Sequence, residues 1–175
     1  MTEHLKFREL TREERTLVNR GLDHWGVFEF FSDKTVIVAD DKTKKICLIS
    51  AGLKPLVSKF DPDYGGLEIG ELKKGFTPTM PGADLFARHS NKNEFYVTVN
   101  ENAEKLVLYG RDVMGDSITL ASESLDENQL VIILNNRQEA IGLGRTRFAG
   151  KSIFQKGRIT ITTVADAGQY LRDEG

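Results

Sequence analysis

The sequence predicts an α+β protein of two domains: an N-terminal antiparallel sheet with flanking helices, and a C-terminal small, curled, barrel-like sheet. Three observations support this. A helical pattern near the start gives way to alternating apolar segments, a short polar link follows at Asn91–Glu94, and the second half holds several short strands with little helix. With 175 residues the chain can contain two small domains, which we place at 1–93 and 94–175.

The first element is a helix with a recognisable start. Thr11 and Glu14 have the spacing of a capping box, in which each residue satisfies a free backbone amide of the other. Gly26 offers a stop. Between them the apolar residues follow a helical spacing: Leu17, Val18, Leu22 and Trp25. We therefore predict a helix over Arg12–Trp25.

A meander of about three strands is predicted next. Phe28–Phe31 leads into Val36–Val38 and then Ile46–Ile49, with polar turns between them. Trp25 and Phe28–Phe31 are expected in the N-terminal core. Ser50–Lys59 is compatible with a short helix whose first turn holds Pro55.

The rest of the first half is less regular. Gly75–Pro81 is expected to be extended or irregular, and Ala83–His89 to be a short helix that turns Leu85 and Phe86 inward.

The second half is predicted to be mostly strand. Its strand candidates are Phe95–Val99, Ile118–Ala121, Leu130–Leu134, Glu139–Gly144 and Arg158–Thr163. Helical turns are expected at Ala103–Leu108 and Ala167–Arg172. Five short strands with little helix favour a small barrel-like sheet.

Charge is segregated near the end of the chain. The formal net charge is only −2, so global charge does not indicate a nucleic-acid partner, and any evidence for one must be local. Asp112–Glu127 holds five acids and no base, whereas Arg145–Arg158 holds five bases and no acid. An ordinary solvated face is the plain alternative, but arginine forks onto phosphates and stacks on bases. The predicted RNA-binding residues are Arg145, Arg147, Lys151, Lys156 and Arg158.

Two aromatic residues and an acidic stretch flank these cations. Phe148 and Phe154 could stack on unpaired bases, or they could anchor the loop to the core. The acidic stretch, including Asp112, Asp116 and Ser122–Ser124, is expected to form an edge that repels RNA or docks a partner.

Residues that support enzyme chemistry are not evident. Cys47 is the only cysteine and lies in an apolar run, which favours a buried inert thiol and a reducing environment. The histidines, His4, His24 and His89, have no zinc spacing. We expect no catalytic residue, no metal and no cofactor.

Two glycine-containing segments resemble ligand loops only in part. Asp61–Gly66 begins like a calcium loop, but its twelfth position is Leu72 rather than glutamate. Gly142–Gly144 lacks the third glycine and the Lys-Ser/Thr of a phosphate loop. These glycines are better explained by close backbone approach or a bend at a barrel corner.

The N-terminal residues lack a signal-peptide core, and no apolar run approaches the ~20 residues that span a bilayer. We therefore expect a soluble cytoplasmic protein with no membrane partner.

Several segments of the second half match a known module in order and spacing. They are Tyr96–Leu108, Tyr109–Val113, Ile141–Arg145 and the closing strand. Together they resemble a PUA domain, the RNA-binding pseudo-barrel of pseudouridine synthases and archaeosine transglycosylases. The resemblance implies that the predicted C-terminal sheet is a PUA pseudo-barrel.

Four segments extend this resemblance over nearly the whole chain: Phe7–Glu14, Ile69–Phe76, Leu108–Val113 and Ala165–Glu174. They resemble the Nip-seven family of large ribosomal subunit biogenesis factors. The resemblance implies a protein without catalytic activity that binds RNA through its PUA domain in pre-ribosomal RNA maturation. The implied partners are pre-rRNA, including uridine-rich single strands, the SBDS homologue and the exosome.

The last strand departs from the family pattern. Archaeal relatives tend to carry several basic residues there, and eukaryotic ones tend to replace them. This chain has Lys156 and Arg158 but continues with Ile159, Thr162 and Ala165. We therefore expect an archaeal-like member with modest affinity for bare RNA.

The first hypothesis is a non-catalytic RNA-binding ribosome biogenesis factor that acts in pre-rRNA processing and large-subunit assembly, in the cytoplasm or, in a eukaryote, the nucleolus. Its N-terminal domain would mainly bind proteins. The alternative is a protein–protein adaptor in ribosome assembly with weak RNA affinity. An RNA-modifying enzyme is a third class, but the N-terminal half shows no catalytic motif.

Overall fold

The computed structural model describes residues 6–60 and 62–173. His4, Asp61 and Glu174, named above, lie outside this part of the chain. The chain divides into two compact units, residues 1–91 and 92–175. Within the described ranges no helix is long and apolar enough to span a membrane.

The N-terminal unit is built on an antiparallel sheet of five strands in the order β1-β2-β3-β4-β5. The strands are Lys6–Arg8, Thr35–Asp40, Lys44–Ile49, Leu67–Leu72 and Phe76–Pro78. The helices are α1 (Arg12–His24), α2 (Phe28–Phe31), α3 (Lys54–Phe60) and α4 (Met80–His89), and a 3-10 turn at Ala51–Leu53 precedes α3. The predicted antiparallel sheet with flanking helices is confirmed.

The start of α1 follows from its capping box. The amide of Glu14 donates to Thr11 Oγ1 at 3.2 Å, and the amide of Thr11 donates to Glu14 Oε2 at 2.9 Å. The chain leaves the helix at Gly26, whose φ of 73° lies in the left-handed region that favours glycine.

The strand expected at Phe28–Phe31 is wrong, because this segment forms the helical turn α2. The Phe31 amide donates to the carbonyl of Val27 at 3.1 Å, so the chain re-enters a helix directly after Gly26. Phe31 is buried, whereas Phe28 is exposed and does not belong to the core. Phe86 of α4 is buried as expected, but Leu85 is only half-buried.

The C-terminal unit contains six strands in the order β7-β11-β10-β9-β6-β8. They are β6 (Tyr96–Val99), β7 (Val113–Met114), β8 (Ile118–Leu120), β9 (Leu130–Leu134), β10 (Ala140–Thr146) and β11 (Ile159–Asp166). Two helices, α5 (Glu101–Val107) and α6 (Gln169–Arg172), and 3-10 turns at Gly115–Ser117 and Gly150–Phe154 complete the unit. Among the described strands of this unit, only β6 and β9 pair in parallel. The two-residue strand β7 was not predicted.

The curl of this sheet depends on irregular pairing along β10. The register shifts between Ala140 and Gly142 against β9, and between Leu143 and Gly144 against β11. A Cβ atom on Gly144 would lie 2.4 Å from Ile161 Cγ2, so this position requires glycine. Gly142–Gly144 therefore serves packing in a bent strand.

A buried carboxylate ties the N-terminal sheet to α1. Glu14 accepts hydrogen bonds from Arg8 Nη1 at 2.7 Å and Nη2 at 2.8 Å, and Lys44 Nζ lies 2.9 Å from its Oε1. Arg8 also donates to Asp40 Oδ2 through Nε at 2.8 Å. These contacts connect β1, α1, β2 and β3. Hydrogen bonding from Arg8 holds the pKa of Glu14 well below its usual range, against the opposing effect of burial.

We expect Glu14→Gln to lower the free energy of unfolding by about 2–3 kcal/mol at pH 7, since it removes the charge from a largely buried pair. Because the folded-state pKa of Glu14 is depressed, its contribution is present above the unfolded value of about 4.3 and is lost as pH falls below it. Urea unfolding at pH 7 and pH 3 measures both effects. Glu13→Gln, an exposed neighbour in the same helical turn, is the control. Equal losses in the two variants would contradict the role of Glu14.

Candidate nucleic-acid interface

The five predicted cations all lie along the arm formed by β10, β11 and their connection. Arg145 is the penultimate residue of β10, and Arg147 follows the strand directly. Lys151 lies in the 3-10 turn, and Lys156 and Arg158 lie between this turn and β11. All five side chains are exposed. Thr146, between the two strand arginines, is buried, so Arg145 and Arg147 share the outer face of the hairpin.

Arg147 is already engaged by neighbouring side chains. Its Nε donates to Thr162 Oγ1 at 2.7 Å, and its Nη2 donates to Asp112 Oδ2 at 3.2 Å. Asp112 is fixed in turn, because its Oδ1 accepts from the Thr163 amide at 3.0 Å. The positive charge of Arg147 is therefore partly neutralised by a carboxylate held against β11.

The acidic stretch does not form an edge separate from the basic segment, and its docking of a partner stays a prediction. Glu123 Oε2 lies 3.7 Å from Lys151 Nζ, and Asp116 Oδ1 accepts from the Gly157 amide at 3.4 Å. With Asp112, three of the acids contact the basic segment. The Lys151 pair is highly exposed, so solvent screens it and a phosphate can compete for the lysine.

Three cations have no carboxylate partner within the described residues: Arg145, Lys156 and Arg158. Arg145 Nη1 donates to the carbonyl of Asn128 at 2.9 Å, which orients the guanidinium without neutralising it. The Arg158 Cζ atom lies 5.0 Å from the centroid of the Phe148 ring. This arrangement holds the guanidinium plane at the surface beside an aromatic face.

The two phenylalanines among the cations have different roles. Phe154 packs against the core of the C-terminal unit and anchors the 3-10 turn. Phe148 is half-buried and supports Arg158. The anchoring role raised by the sequence is therefore found at Phe154, whereas stacking of Phe148 on an unpaired base stays a prediction.

Tyr109 was not singled out from the sequence; it is an aromatic residue in the turn that precedes Arg111, which contacts β11. Tyr109 is 73% exposed, at a turn where Gly110 has a φ of 74°. The next residue, Arg111, is exposed, and its carbonyl accepts from Thr163 Oγ1 at 2.8 Å. The turn is braced by Arg172, which donates to Asp166 Oδ2 at 2.8 Å and to the Leu108 carbonyl. The signal available in the sequence was a tyrosine two positions before an arginine, in a turn that contains glycine.

Other reactive side chains have packing roles. Cys47 is buried, and this burial raises the pKa of its thiol to about 11. His89 stacks on Phe30 with ring centroids 3.8 Å apart, and His24 meets Trp25 edge-on. In the part of the chain that the structure describes, no group of three or more His, Cys, Asp or Glu residues is arranged to hold a metal ion.

Comparison with protein families assigns each of the two units to a known domain. The NIP7/UPF0113 pre-PUA domain matches residues 7–80, and the UPF0113 PUA domain matches residues 95–175. The chain belongs to the NIP7/UPF0113 family. This confirms the family resemblance seen in the sequence and the PUA pseudo-barrel at the C-terminal side. The NIP7/UPF0113 family is of the RNA-binding PUA type and is not a known enzyme family.

Relatives of this NIP7/UPF0113 member match over almost their whole length. The UPF0113 protein of Archaeoglobus fulgidus is 28% identical over 172 residues, covering 97% of each chain. The UPF0113 protein of Aeropyrum pernix is 28% identical over 174 residues, covering 97% of this chain and 94% of the relative.

Solved structures share the fold. A conserved PUA domain protein from Thermoplasma acidophilum has a TM-score of 0.70 at 15% identity, covering 97% of this chain and 99% of that one. A hypothetical protein from Pyrococcus horikoshii has a TM-score of 0.68 at 18% identity, covering 96% and 98%. The predicted α+β fold class is confirmed.

If Asp112 restrains Arg147, then Asp112→Asn should raise affinity for a uridine-rich single strand about 3- to 10-fold at low salt. Asparagine can still accept from the Thr163 amide, but it no longer neutralises the arginine. One additional cation should also steepen the logarithmic salt dependence by about 0.7. Fluorescence anisotropy at several salt concentrations measures both. Glu101→Gln, with the same charge change on α5, is the control, and an equal gain in both variants would show that only net charge matters.

Proposed function

We propose that this NIP7/UPF0113 member is a non-catalytic RNA-binding ribosome biogenesis factor that acts in pre-rRNA processing and large-subunit assembly, in the cytoplasm. The observation that carries the proposal is the arm of β10 and β11, which presents Arg145, Lys156 and Arg158 without carboxylate partners in the described structure. Because the family is of the RNA-binding PUA type, RNA is the simplest ligand to propose for this cationic arm.

The arm suits a single strand of RNA in two ways. Arg145 and Lys156 offer charge to phosphates, which fixes the position of a strand without reading its sequence. The guanidinium of Arg158, supported by Phe148, offers a flat surface on which an unpaired base can stack. With so few cations, binding is expected to be micromolar and sensitive to salt. Such a protein would hold a segment of precursor RNA until later assembly factors replace it.

The double variant Arg145→Ala/Arg158→Ala tests the cationic arm. We expect at least a 10-fold loss of affinity for uridine-rich and ribosomal RNA fragments, because two phosphate or base contacts disappear. The logarithmic salt slope should fall by about 1.4, at about 0.7 for each cation on a single strand. Gel-shift titration and anisotropy measure these changes.

Lys105→Ala/Arg137→Ala is the matched control, since it removes two exposed cations of the same unit that pair with carboxylates. If the wild-type chain shows no salt-dependent binding, or if both double variants lose affinity equally, the RNA role of the arm is rejected.

Arg158→Lys separates stacking from charge. Lysine keeps the charge but lacks the guanidinium plane, so affinity for a single strand should fall about 3- to 10-fold, whereas affinity for a duplex of the same sequence should change less than about twofold. Phe148→Leu should reproduce the effect by removing the support of the guanidinium. Arg145→Lys serves as the control substitution. Similar losses on single and double strands would indicate that Arg158 acts only as a charge.

Crosslinking in cells addresses the maturation step. Ultraviolet crosslinking with mapping of both partners should join residues 145–158 to large-subunit ribosomal RNA or its precursor. Crosslinks confined to unrelated RNA, or to other parts of the chain, would argue against the proposed role.

A protein–protein adaptor in ribosome assembly is the second candidate. It is favoured by the carboxylate pairing of Arg147 and Lys151, which removes charge from the arm. Pull-down with and without ribonuclease separates the two functions. The SBDS homologue and the exosome are the first partners to test, and association that survives nuclease treatment would favour the adaptor.

A further inference from the structure

The outer side of α3 exposes the apolar residues of an amphipathic helix. Leu53, Leu56 and Phe60 are 48%, 49% and 66% exposed. Leu56 and Phe60 are four positions apart on one side of α3, next to Val57, and Leu53 is the last residue of the 3-10 turn that precedes the helix. Val57 alone among the residues of α3 is buried, against Phe7, Ile37, Cys47 and their neighbours. Val57 therefore packs against the core, whereas the other apolar side chains of this segment stay exposed to solvent.

The two longer helices of the N-terminal unit bury apolar side chains against the sheet. The apolar residues Val18 and Leu22 of α1 and Ala83 and Phe86 of α4 are buried. A contiguous exposed apolar surface has a free-energy cost in water and commonly marks an interaction site. We call the surface of Leu53, Leu56 and Phe60 the α3 face.

The charged side chains within residues 50–60 are basic. Residues 50–60 contain Lys54 and Lys59 and no acidic residue. Lys54 Nζ lies 2.5 Å from Glu9 Oε1 and is neutralised within the chain. The ammonium of Lys59 lies 5.4 Å from the ring centroid of Phe60 and has no carboxylate partner within the described residues. A ligand of this face must therefore combine apolar side chains with a negative charge near Lys59.

We propose that the α3 face docks an acidic amphipathic helix of a partner protein. Leu56 and Phe60 of α3, with Leu53 in the turn before it, offer an apolar surface that can pack against the apolar stripe of a second helix. An acidic residue beside that stripe would pair with Lys59. A second copy of this chain is disfavoured, because residues 50–60 of that copy contain no carboxylate to pair with Lys59. RNA is disfavoured, because one unpaired lysine beside three apolar side chains provides little attraction for phosphates.

A defined probe tests this surface in the full-length chain. The probe is a synthetic helical peptide with leucine along one side and glutamate elsewhere. The comparison peptides are a scrambled version and a version with lysine in place of glutamate. We expect saturable binding of the acidic peptide only, with amide chemical-shift changes in residues 53–60 measured by nuclear magnetic resonance.

Two variants locate the interaction. Leu56→Ser/Phe60→Ser removes exposed apolar area, so the fold should persist, and peptide affinity should fall at least 10-fold. Lys59→Glu should weaken the acidic peptide about 3- to 10-fold and strengthen the lysine peptide. Lys73→Glu, an exposed lysine elsewhere in the same unit, is the charge control and should change neither.

Four outcomes would overturn the proposal. They are the absence of saturable binding, equal binding of the acidic and lysine peptides, a chain dimer that the double serine variant dissociates, and a loss of RNA affinity in that variant. The last two would assign the α3 face to a second copy or to RNA. None of these results depends on whether the β10–β11 arm binds RNA, so the two proposals succeed or fail separately.

Discussion

The pairing of β10 with β11 is the constraint on which the C-terminal unit depends. β10 lies between β9 and β11, and its glycine at position 144 lets the side chain of Ile161 approach the strand backbone. The register places Arg145 opposite Thr162 and Thr146 opposite Ile161. Successive residues of a strand point to opposite faces of the sheet, so the register that buries Thr146 also turns Arg145 toward solvent.

The fold cancels part of the charge segregation that the sequence displays. Asp112 and Arg147 are 35 positions apart in the chain but meet across β11. Glu123 lies in the connection between β8 and β9, and it approaches Lys151 in a similar way. The cationic surface without carboxylate partners in the described residues is smaller than the count of basic residues indicates. It consists of Arg145, Lys156 and Arg158, whose guanidinium lies beside Phe148.

Elements governed by local rules were predictable. The capping box of Thr11 and Glu14 fixes the start of α1, and the polar turn after β9 fixes the hairpin with β10. Phe28–Phe31 was mispredicted because three aromatic residues suit a strand, whereas the left-handed Gly26 returns the chain to a helical turn. The strand β7 is two residues long and exists only through pairing with β11, so no local pattern announces it. The pairing of Arg147 is likewise tertiary, which is why the sequence overestimated the free charge on the arm.

The lone thiol of the chain has a practical consequence. Cys47 belongs to the same apolar cluster as Val57 of α3, and burial raises the pKa of its thiol to about 11, so the thiol is protonated at neutral pH. Alkylating reagents and peroxides react with the thiolate and need access to it. The rate at which such a reagent modifies the native protein therefore reports how often the cluster beneath α3 unfolds locally. This measurement needs no introduced label.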